Sequence, residues 1–400
     1  MEKVYQFIGV ALLLFGVNTA IGQDNCWVAP CDRVAPCDPC GGRVASSCLF
    51  SNWAFGGWVE TGVYTNSRGF NNNGPMHTDS NRRTDFLMNQ LYLFTEREMD
   101  TRRGFDWGAR LDLVYGIDAG SKQTWGDETF DFNWGMNRHG YGMSAYQLYG
   151  TLGYRDLSVK AGKFYTPVGW EGSASLDNFF YSHSLCYWIE PATHMGGLAT
   201  YNLTDRLTVS GGWTAGTDSS FANPNNNHTV LSGLEYALGD NATIYYWFNA
   251  GRQFNTESEE RYNHFVQSFC FEWNLTNRFT YVMQYNLHND NVRGGEGRYS
   301  SYGINNHFLY KLNDRWGAGM RVEWLRDNGG YVTEEAGTYY QFTWGLNWNP
   351  RKNVSIRPEV RYDWVKGATP FGRSDSFGGH PTVGTRSTQV SGGCGIVISF

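Results

Sequence analysis

The chain lacks long apolar stretches. After the first 22 residues no run approaches the ~18 apolar residues that a membrane helix requires. Charged residues are scarce too, at 18% of the chain against roughly 25% in an average soluble domain. No basic patch interleaved with aromatic residues suggests nucleic acid as a partner. Proline is sparse at 11 residues, whereas glycine reaches 49 and aromatic residues 16%. This balance favours one large all-β unit over several soluble domains.

What the chain has instead is strand-like alternation. From residue 387 to the terminal Phe400, apolar side chains alternate with small, mostly polar ones, as in a strand with lipid on one side and a wet lumen on the other. Aromatic residues cluster at the ends of such runs, which suggests the two interfacial girdles of a membrane barrel. The same period recurs in residues 105–115, 207–215, 265–273, 279–287, 316–324, 340–348 and 354–364.

Two kinds of connection separate these runs. Short polar turns fall at 155–156, 204–205, 239–241, 276–277, 313–314 and 351–353, with a looser turn at 100–103. Longer Gly/Asn-rich loops fall near 66–84, 116–143, 165–194, 216–228, 251–263, 288–299, 325–338 and 366–385. From the second turn onward the spacing is about 36 to 38 residues, enough for two strands of ~10 residues with one turn and one loop.

The alternation and the spacing together predict an all-β fold. We expect a transmembrane antiparallel up-and-down β-barrel of about 16 strands, with long external loops and short periplasmic turns. Both chain ends then lie on the short-turn side. A barrel of this size encloses an aqueous bore instead of a packed core.

The pattern of residues 1–22 predicts a secretory signal peptide. Lys3 precedes an apolar core from 4 to 17, and Ala20-Ile21-Gly22 offers a small-x-small cleavage site. The mature chain therefore leaves the cytoplasm. We expect the barrel to occupy residues 51–400 and to lie in the bacterial outer membrane.

Residues 23–50 form a separate cysteine-rich segment, which we expect in the periplasm. Val-Ala-Pro-Cys-Asp occurs twice, and two of the cysteines form a CxxC. Disulfides suit an oxidising compartment and are the preferred interpretation. A zinc site at the CxxC and a flexible tether stay open as alternatives. The candidates are Cys26, Cys31, Cys37, Cys40 and Cys48, and their odd number leaves a thiol for Cys186, Cys270, Cys394 or a partner.

Residues 159–203 carry a family resemblance. Gly162-Lys163-Phe164 is followed by Pro167, Gly169 and Glu171, and later by Pro191-Ala192-Thr193-His194-Met195-Gly196-Gly197. This pattern resembles the G-K-F-x-x-P-x-G-x-E and His-x-Gly elements of the β-barrel porin family described as OmpL-like, and more distantly those of phosphate-selective and carbohydrate porins. The resemblance covers most of residues 53–400 and implies an outer-membrane diffusion channel. The cysteine-rich segment is not part of that pattern.

The third long loop is the candidate constriction. In general porins the third loop folds into the barrel and narrows it, so charged or titratable groups here would set size and charge selectivity. An ordinary surface loop with charges in water is the alternative interpretation. The candidates are Lys163, Glu171, Asp177, His183, Glu190 and His194.

Polar residues at alternate strand positions are candidates for the pore lining. Opposite charges on neighbouring strands would create a field across the bore, as rings of charge do in ion-selective pores. Charge pairing that only stabilises the wall is the alternative. The signs nearly balance, so no anion or cation preference is predicted. These residues are Arg110, Asp112, Lys160, Glu235, Glu272, Arg321, Glu323, Arg357, Glu359, Arg361 and Asp363.

Other classes of protein fit the sequence less well. No nucleophile elbow, HxxxH or HExxH motif indicates an enzyme or a metal centre, and we expect no cofactor. A structural or adhesive barrel, linked to the envelope through its cysteine-rich segment, is the main alternative to a pore. A secreted β-sandwich array, glycosylated at Asn-x-Ser/Thr sites, is a further one. The expected partners are the outer-membrane bilayer, the barrel-insertion machinery, and small hydrophilic solutes or ions. In similar barrels that machinery recognises a C-terminal Phe, which is Phe400 here. The resemblance to porins adds a homo-oligomer to these expectations.

Overall fold

A computed structural model describes most of the region predicted to form the barrel. The residues that it describes are 53–68, 84–120, 122–124, 130–131, 133–137, 140–221, 223, 226–255, 260–292, 298–331, 335–373 and 384–400. The predicted signal peptide and the cysteine-rich segment lie outside the described residues. Within the described part, no helix is both long enough and apolar enough to cross a bilayer.

Eighteen strands make up nearly all of the regular structure in the described residues. Short helical pieces stand in the connections, namely the helix Ile117–Gly120 and 3₁₀ turns at Thr101–Arg103, Ser175–Asp177 and Cys186–Ile189. The strands are β1 Trp53–Asn66, β2 Thr84–Arg97, β3 Phe105–Gly116, β4 Gly142–Tyr154, β5 Leu157–Tyr165, β6 Thr193–Thr204, β7 Leu207–Thr217, β8 His228–Ala237, β9 Ala242–Asn255, β10 Glu260–Thr276, β11 Phe279–Val292, β12 Arg298–Lys311, β13 Trp316–Asp327, β14 Gly337–Arg351, β15 Val354–Lys366, β16 Phe371–Arg373, β17 Gly384–Arg386 and β18 Thr388–Ser399.

Sixteen of these strands form one closed antiparallel barrel. Each strand pairs with its neighbours in the chain from β1 to β15, then β15 pairs with β18 and β18 pairs with β1. The pair β16 and β17 forms a small separate sheet within the last long connection. The predicted barrel class and strand number are therefore confirmed.

The connections alternate as predicted. Short turns occupy 98–104, 155–156, 205–206, 238–241, 277–278, 312–315 and 352–353, and the remaining connections are mostly longer. Two predicted loops are shorter than expected, because β9 to β12 continue beyond the predicted ends and leave only 256–259 and 293–297 as connections. The added strand ends turn polar side chains outward, as at Arg252, Arg261 and Asn291. Ladder hydrogen bonds hold such ends together without an apolar face.

Alternation sorts the side chains into two faces. Along β15 the charged residues Arg357, Glu359, Arg361 and Asp363 are buried, whereas the intervening Pro358, Val360, Tyr362 and Trp364 are exposed. Exposed Leu, Val, Ile, Trp, Tyr and Phe side chains recur on the same face of most other strands. A soluble protein would not expose so much apolar surface, so this face meets lipid.

Aromatic pairs mark both ends of the outward face. Trp316 and Trp348 stack with ring centroids 5.6 Å apart near the short turns, and Tyr340 and Trp364 stack at 4.7 Å near the long connections. Amphipathic rings favour the lipid headgroup level. The two sets therefore lie where interfacial girdles are expected.

Candidate functional site

The connection 166–192, between β5 and β6, crosses the interior of the barrel. It contacts β13, which stands halfway around the sixteen-strand ring from β5. It also contacts inward-facing residues of β1, β2, β10, β11 and β15. A segment that touches the inner face of strands on opposite sides lies within the bore. We call it the inner loop.

Two charged residues of β13 hold the inner loop by its backbone. Arg321 donates to the carbonyl oxygens of Ser182 at 2.7 Å and His183 at 2.9 Å, and Glu323 accepts from the amide of Leu185 at 2.7 Å. The two side chains share one face because they are two positions apart on a strand. Their opposite signs let one satisfy carbonyl groups and the other an amide, groups that would otherwise be buried without partners.

A second pair on β15 repeats this arrangement. Arg357 donates to the carbonyl oxygens of Ser175 at 2.7 Å and Asn178 at 2.8 Å, while Glu359 accepts from the amide of Tyr181 at 2.9 Å. Arginine and glutamate again stand two residues apart. The Arg-x-Glu spacing, visible in the sequence, thus anchors the inner loop at two places.

Glycines on the wall make room for the aromatic residues of the inner loop. A Cβ at Gly319 would lie 2.4 Å from a ring atom of Phe179, and one at Gly345 would lie 2.9 Å from Phe180. The ring of Tyr181 covers two more glycines, Gly62 of β1 and Gly395 of β18. Side chains at these positions would push the aromatic residues off the wall, so the glycines allow the loop to approach closely.

Glu171 stands at the centre of the inner-loop contacts. Its carboxylate lies 2.9 Å from Arg321 and accepts from the amide of Ser184 at 2.7 Å. His183 and His307 approach its oxygens at 3.8 and 4.0 Å. Glu171 is only 4% exposed, so its charge is balanced by Arg321 more than by water.

The other candidates from the third loop are divided between loop and strands. Asp177 and His183 are half-buried in the inner loop, where His183 stacks on Tyr187 at 3.8 Å. Glu190 contacts Gln284 and Asn286 of β11.

Lys163 and His194, by contrast, stand in β5 and β6 and not in the loop. His194 is fully buried, with a ring nitrogen 3.0 Å from Thr166. The ladder between β5 and β6 reaches Tyr165 and Thr193. This pairing satisfies the backbone there and makes the loop shorter than the predicted 165–194.

Lys163 belongs to a buried cluster at the long-connection end. Its Nζ lies 2.8 Å from Asp131 of the connection 117–141, and Asp131 also accepts from Ser144 Oγ at 2.6 Å and from the amide of Thr124 at 2.9 Å. Burial alone would raise the pKa of Asp131, but the charge of Lys163 and these hydrogen bonds hold that pKa below its ordinary value. The ion pair between Lys163 and Asp131 therefore holds the connection 117–141 against the inner wall of the barrel.

Of the pore-lining candidates on β3, β5 and β8, Arg110, Lys160 and Glu235 are half-buried and Asp112 is fully buried. Arg110 pairs with Asp112 at 2.8 Å and with Glu96 at 3.0 Å. Lys160 and Glu235 are half-buried on the inward face, with Lys160 Nζ 4.5 Å from the centre of the Tyr149 ring.

Two lining candidates on β10 and β15 are buried by their contacts. Glu272 accepts from the indole of Trp170 in the inner loop at 3.2 Å. Arg361 pairs with Asp363 at 2.7 Å and reaches the carbonyl oxygen of His183 at 3.3 Å. Glu272, Arg361 and Asp363 are therefore each bonded to the inner loop or paired with a residue of the same strand.

Sequence reasoning missed several residues that hold the inner loop directly or through an anchor, and three of them illustrate the pattern. Gln90 of β2 donates to the Ser173 carbonyl oxygen at 2.9 Å, Asn286 of β11 donates to that of Cys186 at 3.1 Å, and Glu60 of β1 pairs with Arg357. All three stand at inward positions of alternating strands, which is the one signal that could have found them.

The described cysteines Cys186, Cys270 and Cys394 form no disulfide bond with one another. The five cysteines of the N-terminal segment fall outside the described residues, so their pairing stays a prediction.

A closed barrel with an apolar outer face, a polar inner face and a connection folded into its bore is the architecture of an outer-membrane diffusion channel. The sequence leads to the same class. The chain belongs to the family described as "Putative beta-barrel porin-2, OmpL-like", whose profile matches residues 52–400. It is a porin of the bacterial outer membrane, and the predicted family is confirmed. No curated relative matches the chain.

Solved porin structures share the fold at low sequence identity. The anion-selective porin from Comamonas acidovorans is 10% identical and superposes with a TM-score of 0.59, covering 87% of this chain and 99% of its own. The channel DcaP of Acinetobacter baumannii is 8% identical with a TM-score of 0.58, covering 87% and 97%. OprB of Pseudomonas putida is 13% identical with a TM-score of 0.57, covering 88% and 95%. At these identities the likeness concerns the fold alone.

Proposed function

We propose that the protein is a water-filled channel for small hydrophilic solutes or ions, and that the inner loop sets the width of its bore. The observation that carries the proposal is the anchoring of the loop backbone by Arg321 and Glu323, halfway around the ring from its two ends. A loop held on both sides of the bore leaves less room for a solute than a loop that stands above it.

The charges divide into two groups under this proposal. Buried residues of β13 and β15 act mainly as loop anchors, because their polar atoms are directed to the loop backbone or to each other. Half-buried Arg110, Lys160 and Glu235, with Asp177, His183 and Glu190 of the loop, contribute the field that a passing ion meets. Both signs occur in each group, so we assign no ion preference.

The test is single-channel conductance of the mature chain, residues 23–400, in a planar bilayer with an asymmetric salt gradient. We expect stable current steps. Arg321→Ala removes the hydrogen bonds to the Ser182 and His183 carbonyl oxygens and the ion pair with Glu171. Breaking a buried ion pair of this kind costs about 3–5 kcal/mol. We expect a larger conductance from this variant, because the loop loses an anchor. Arg326→Ala is the matched control, since Arg326 stands on the same strand and bonds to Asn328 and Thr338.

A second variant distinguishes the effect of the loop charge on ion selectivity from the effect of the loop on the width of the bore. Glu171→Ala removes the negative partner of Arg321 at the loop. The reversal potential should therefore shift in the direction that indicates a greater preference for anions. An unaltered reversal potential and an unaltered conductance in folded Glu171→Ala and Arg321→Ala proteins would both count against a constricting loop.

Silence from wild-type protein that is shown to be inserted and folded would favour the structural or adhesive barrel. The cysteine-rich segment would then be the next part to delete, because an envelope link through it is the basis of that alternative.

Several further assignments are part of the proposal. The signal peptide 1–22 is removed, residues 23–50 lie in the periplasm, the insertion machinery reads the C-terminus, and the channel performs no catalysis. We also propose a homo-oligomer. The structural neighbour OmpT of Vibrio cholerae, 11% identical with a TM-score of 0.58, has been solved in a trimer form. Light scattering in detergent measures the mass, and a monomer would contradict this last point.

A further inference from the structure

Two histidines and an aspartate meet on the inner face of neighbouring strands. His264 belongs to β10, and His288 and Asp290 belong to β11. His264 is directly opposite Asp290 in the ladder, and His288 is opposite Val266, two residues along β10. The cluster stands near the connections 256–259 and 293–297, at the long-connection end of the barrel.

The three side chains bring possible ligand atoms close together. His264 Nδ1 lies 2.7 Å from one carboxylate oxygen of Asp290, and His288 Nε2 lies 3.1 Å from the other. One ligand atom from each residue can be chosen so that all lie within 4.8 Å of one another. Within the part of the chain that the structure describes, no other group of His, Cys, Asp and Glu meets that condition.

The imidazoles are buried but incompletely bonded. His288 is fully buried and His264 is 5% exposed. His264 Nε2 and both ring nitrogens of His288 have no hydrogen bond of acceptable geometry, although His288 Nε2 is close to Asp290. Buried polar nitrogens without partners are uncommon in native proteins, and a bound ion is one of the explanations for them.

We propose that His264, His288 and Asp290 bind one divalent transition-metal ion of the Zn²⁺ class. Two imidazoles and a carboxylate are ligands that such ions prefer, whereas Mg²⁺ and Ca²⁺ prefer sets made of oxygen atoms. Zinc ligands stand at about 2.0–2.2 Å from the ion, so small side-chain rotations from the present distances form the site. The two paired strands fix the ligands, and a water completes the four-coordinate shell.

The surroundings limit access to the proposed site. Tyr331, in the connection between β13 and β14, stacks on His288 with ring centroids 3.9 Å apart. This ring covers His288, so the ion enters past His264 and Asp290. Because the cluster lies on the inner face, a bound ion would add positive charge to the wall of the bore near its mouth.

Metal binding to the untagged mature chain in detergent tests the proposal. The cysteines are first alkylated with iodoacetamide, because the CxxC of the N-terminal segment could itself bind zinc. Equilibrium dialysis then gives the amount of Zn²⁺ bound per chain and its dissociation constant. We expect one tight site in the wild type. His264→Gln and His288→Gln should weaken it by more than about tenfold, since loss of even an outer partner costs 10–100-fold.

His228→Gln is the matched control. His228 is an exposed histidine of β8 that bonds to Trp213 and Asn226, away from the cluster. Binding that is lost equally in all three histidine variants, or kept in all of them, would overturn the proposal. Gel mobility without boiling shows whether each barrel is folded.

A readout on the wild type keeps the test decisive if a variant fails to fold. Co²⁺ bound by nitrogen and oxygen ligands in a four-coordinate site gives visible absorption bands without the thiolate charge-transfer band. We expect this spectrum from the alkylated chain, with Zn²⁺ but not Mg²⁺ displacing the Co²⁺. The absence of any Co²⁺ spectrum, or equal displacement by Mg²⁺, would refute the assignment.

Discussion

Arginine and glutamate two positions apart on one strand act as opposite hydrogen-bonding groups toward the same loop. Arg321 and Glu323 do so on β13, and Arg357 and Glu359 do so on β15. Burial of a charge is costly unless it is paired and hydrogen-bonded. The inner loop supplies those hydrogen bonds, so the wall charges and the loop backbone stabilise each other.

Gly395 allows the ring of Tyr181 to pack closely on the wall, and a substitution there tests this contact. In Gly395→Ala the new Cβ would lie 2.5 Å from a ring atom of Tyr181, so the ring must move and its hydrogen bond to Asn89 weakens. Overpacking of this kind costs about 1–3 kcal/mol. Denaturant unfolding of the barrel measures the loss. Gly392→Ala on the same strand is the control, because its Cβ would meet Glu359 O at an ordinary 3.7 Å, and equal effects of the two changes would contradict the prediction.

Asp131 gives a prediction about pH. Its pKa is lowered in the fold, so its stabilising effect is present above the unfolded value of about 3.9 and is lost as the pH falls through the lowered folded pKa. The amides of Thr124 and Ala145 donate to its carboxylate. We expect their hydrogen exchange, corrected for the intrinsic rate, to increase as the pH falls below about 4.

The matched variant for the Asp131 prediction is Asp131→Asn, which cannot ionise. In it these two amides should exchange faster already at neutral pH, with little further change on acidification. Exchange that depends on pH equally in both proteins would show that Asp131 does not hold this connection.

A single strand contacts lipid on one face and the aqueous bore on the other. On β3 the residues Leu111 and Leu113 face outward, while Arg110 and Asp112 face the bore. A period of two suffices for both environments, which is why the strands could be predicted from the sequence. The ends of β9 to β12 could not, because ladder hydrogen bonds extend strands beyond the apolar band without an apolar signal.

Leu111→Arg tests the outward placement on β3. An arginine that faces lipid near the midplane destabilises a membrane barrel by about 2–4 kcal/mol, and one near the interface by about 0–1 kcal/mol. Phe105→Arg at the end of the same strand is therefore the control. Unfolding in liposomes measures both variants. Equal losses would show that Leu111 does not stand deeper in the bilayer than Phe105.

At the scale of the whole molecule, the barrel closes through its first and last strands. β1 pairs with β18 from Trp58 and Ser399 to Asn66 and Ser391. Backbone hydrogen bonds between Gly57 and Phe400 extend this seam to the C-terminus at 2.9 and 3.0 Å. The Phe400 side chain is 46% exposed on the outward side, so the residue both completes the seam and remains accessible.

Deleting Phe400 removes both the seam contacts and the terminal aromatic residue, and two different measurements report on the two losses. The truncated chain loses the two hydrogen bonds at the seam, each worth about 0.5–1.5 kcal/mol, and it also loses the terminal aromatic residue that similar barrels present to the insertion machinery. We expect refolding into detergent to be only slightly weakened and the amount in the outer membrane of cells to fall severalfold. Phe400→Tyr should retain normal refolding and a normal amount in the outer membrane. A normal amount of the truncated chain in the membrane would argue against Phe400 as an insertion signal.

The sequence by itself determined the barrel, its strand number and its two faces, because the period of two and the turn spacing are local properties of the chain. It also determined that charges such as Arg321 and Glu359 face inward. Only the tertiary structure decided that these charges hold the inner loop, that Lys163 pairs with Asp131, and that His264, His288 and Asp290 meet. Such contacts depend on register and closure, which join residues that are distant in the chain and leave no fixed spacing to read.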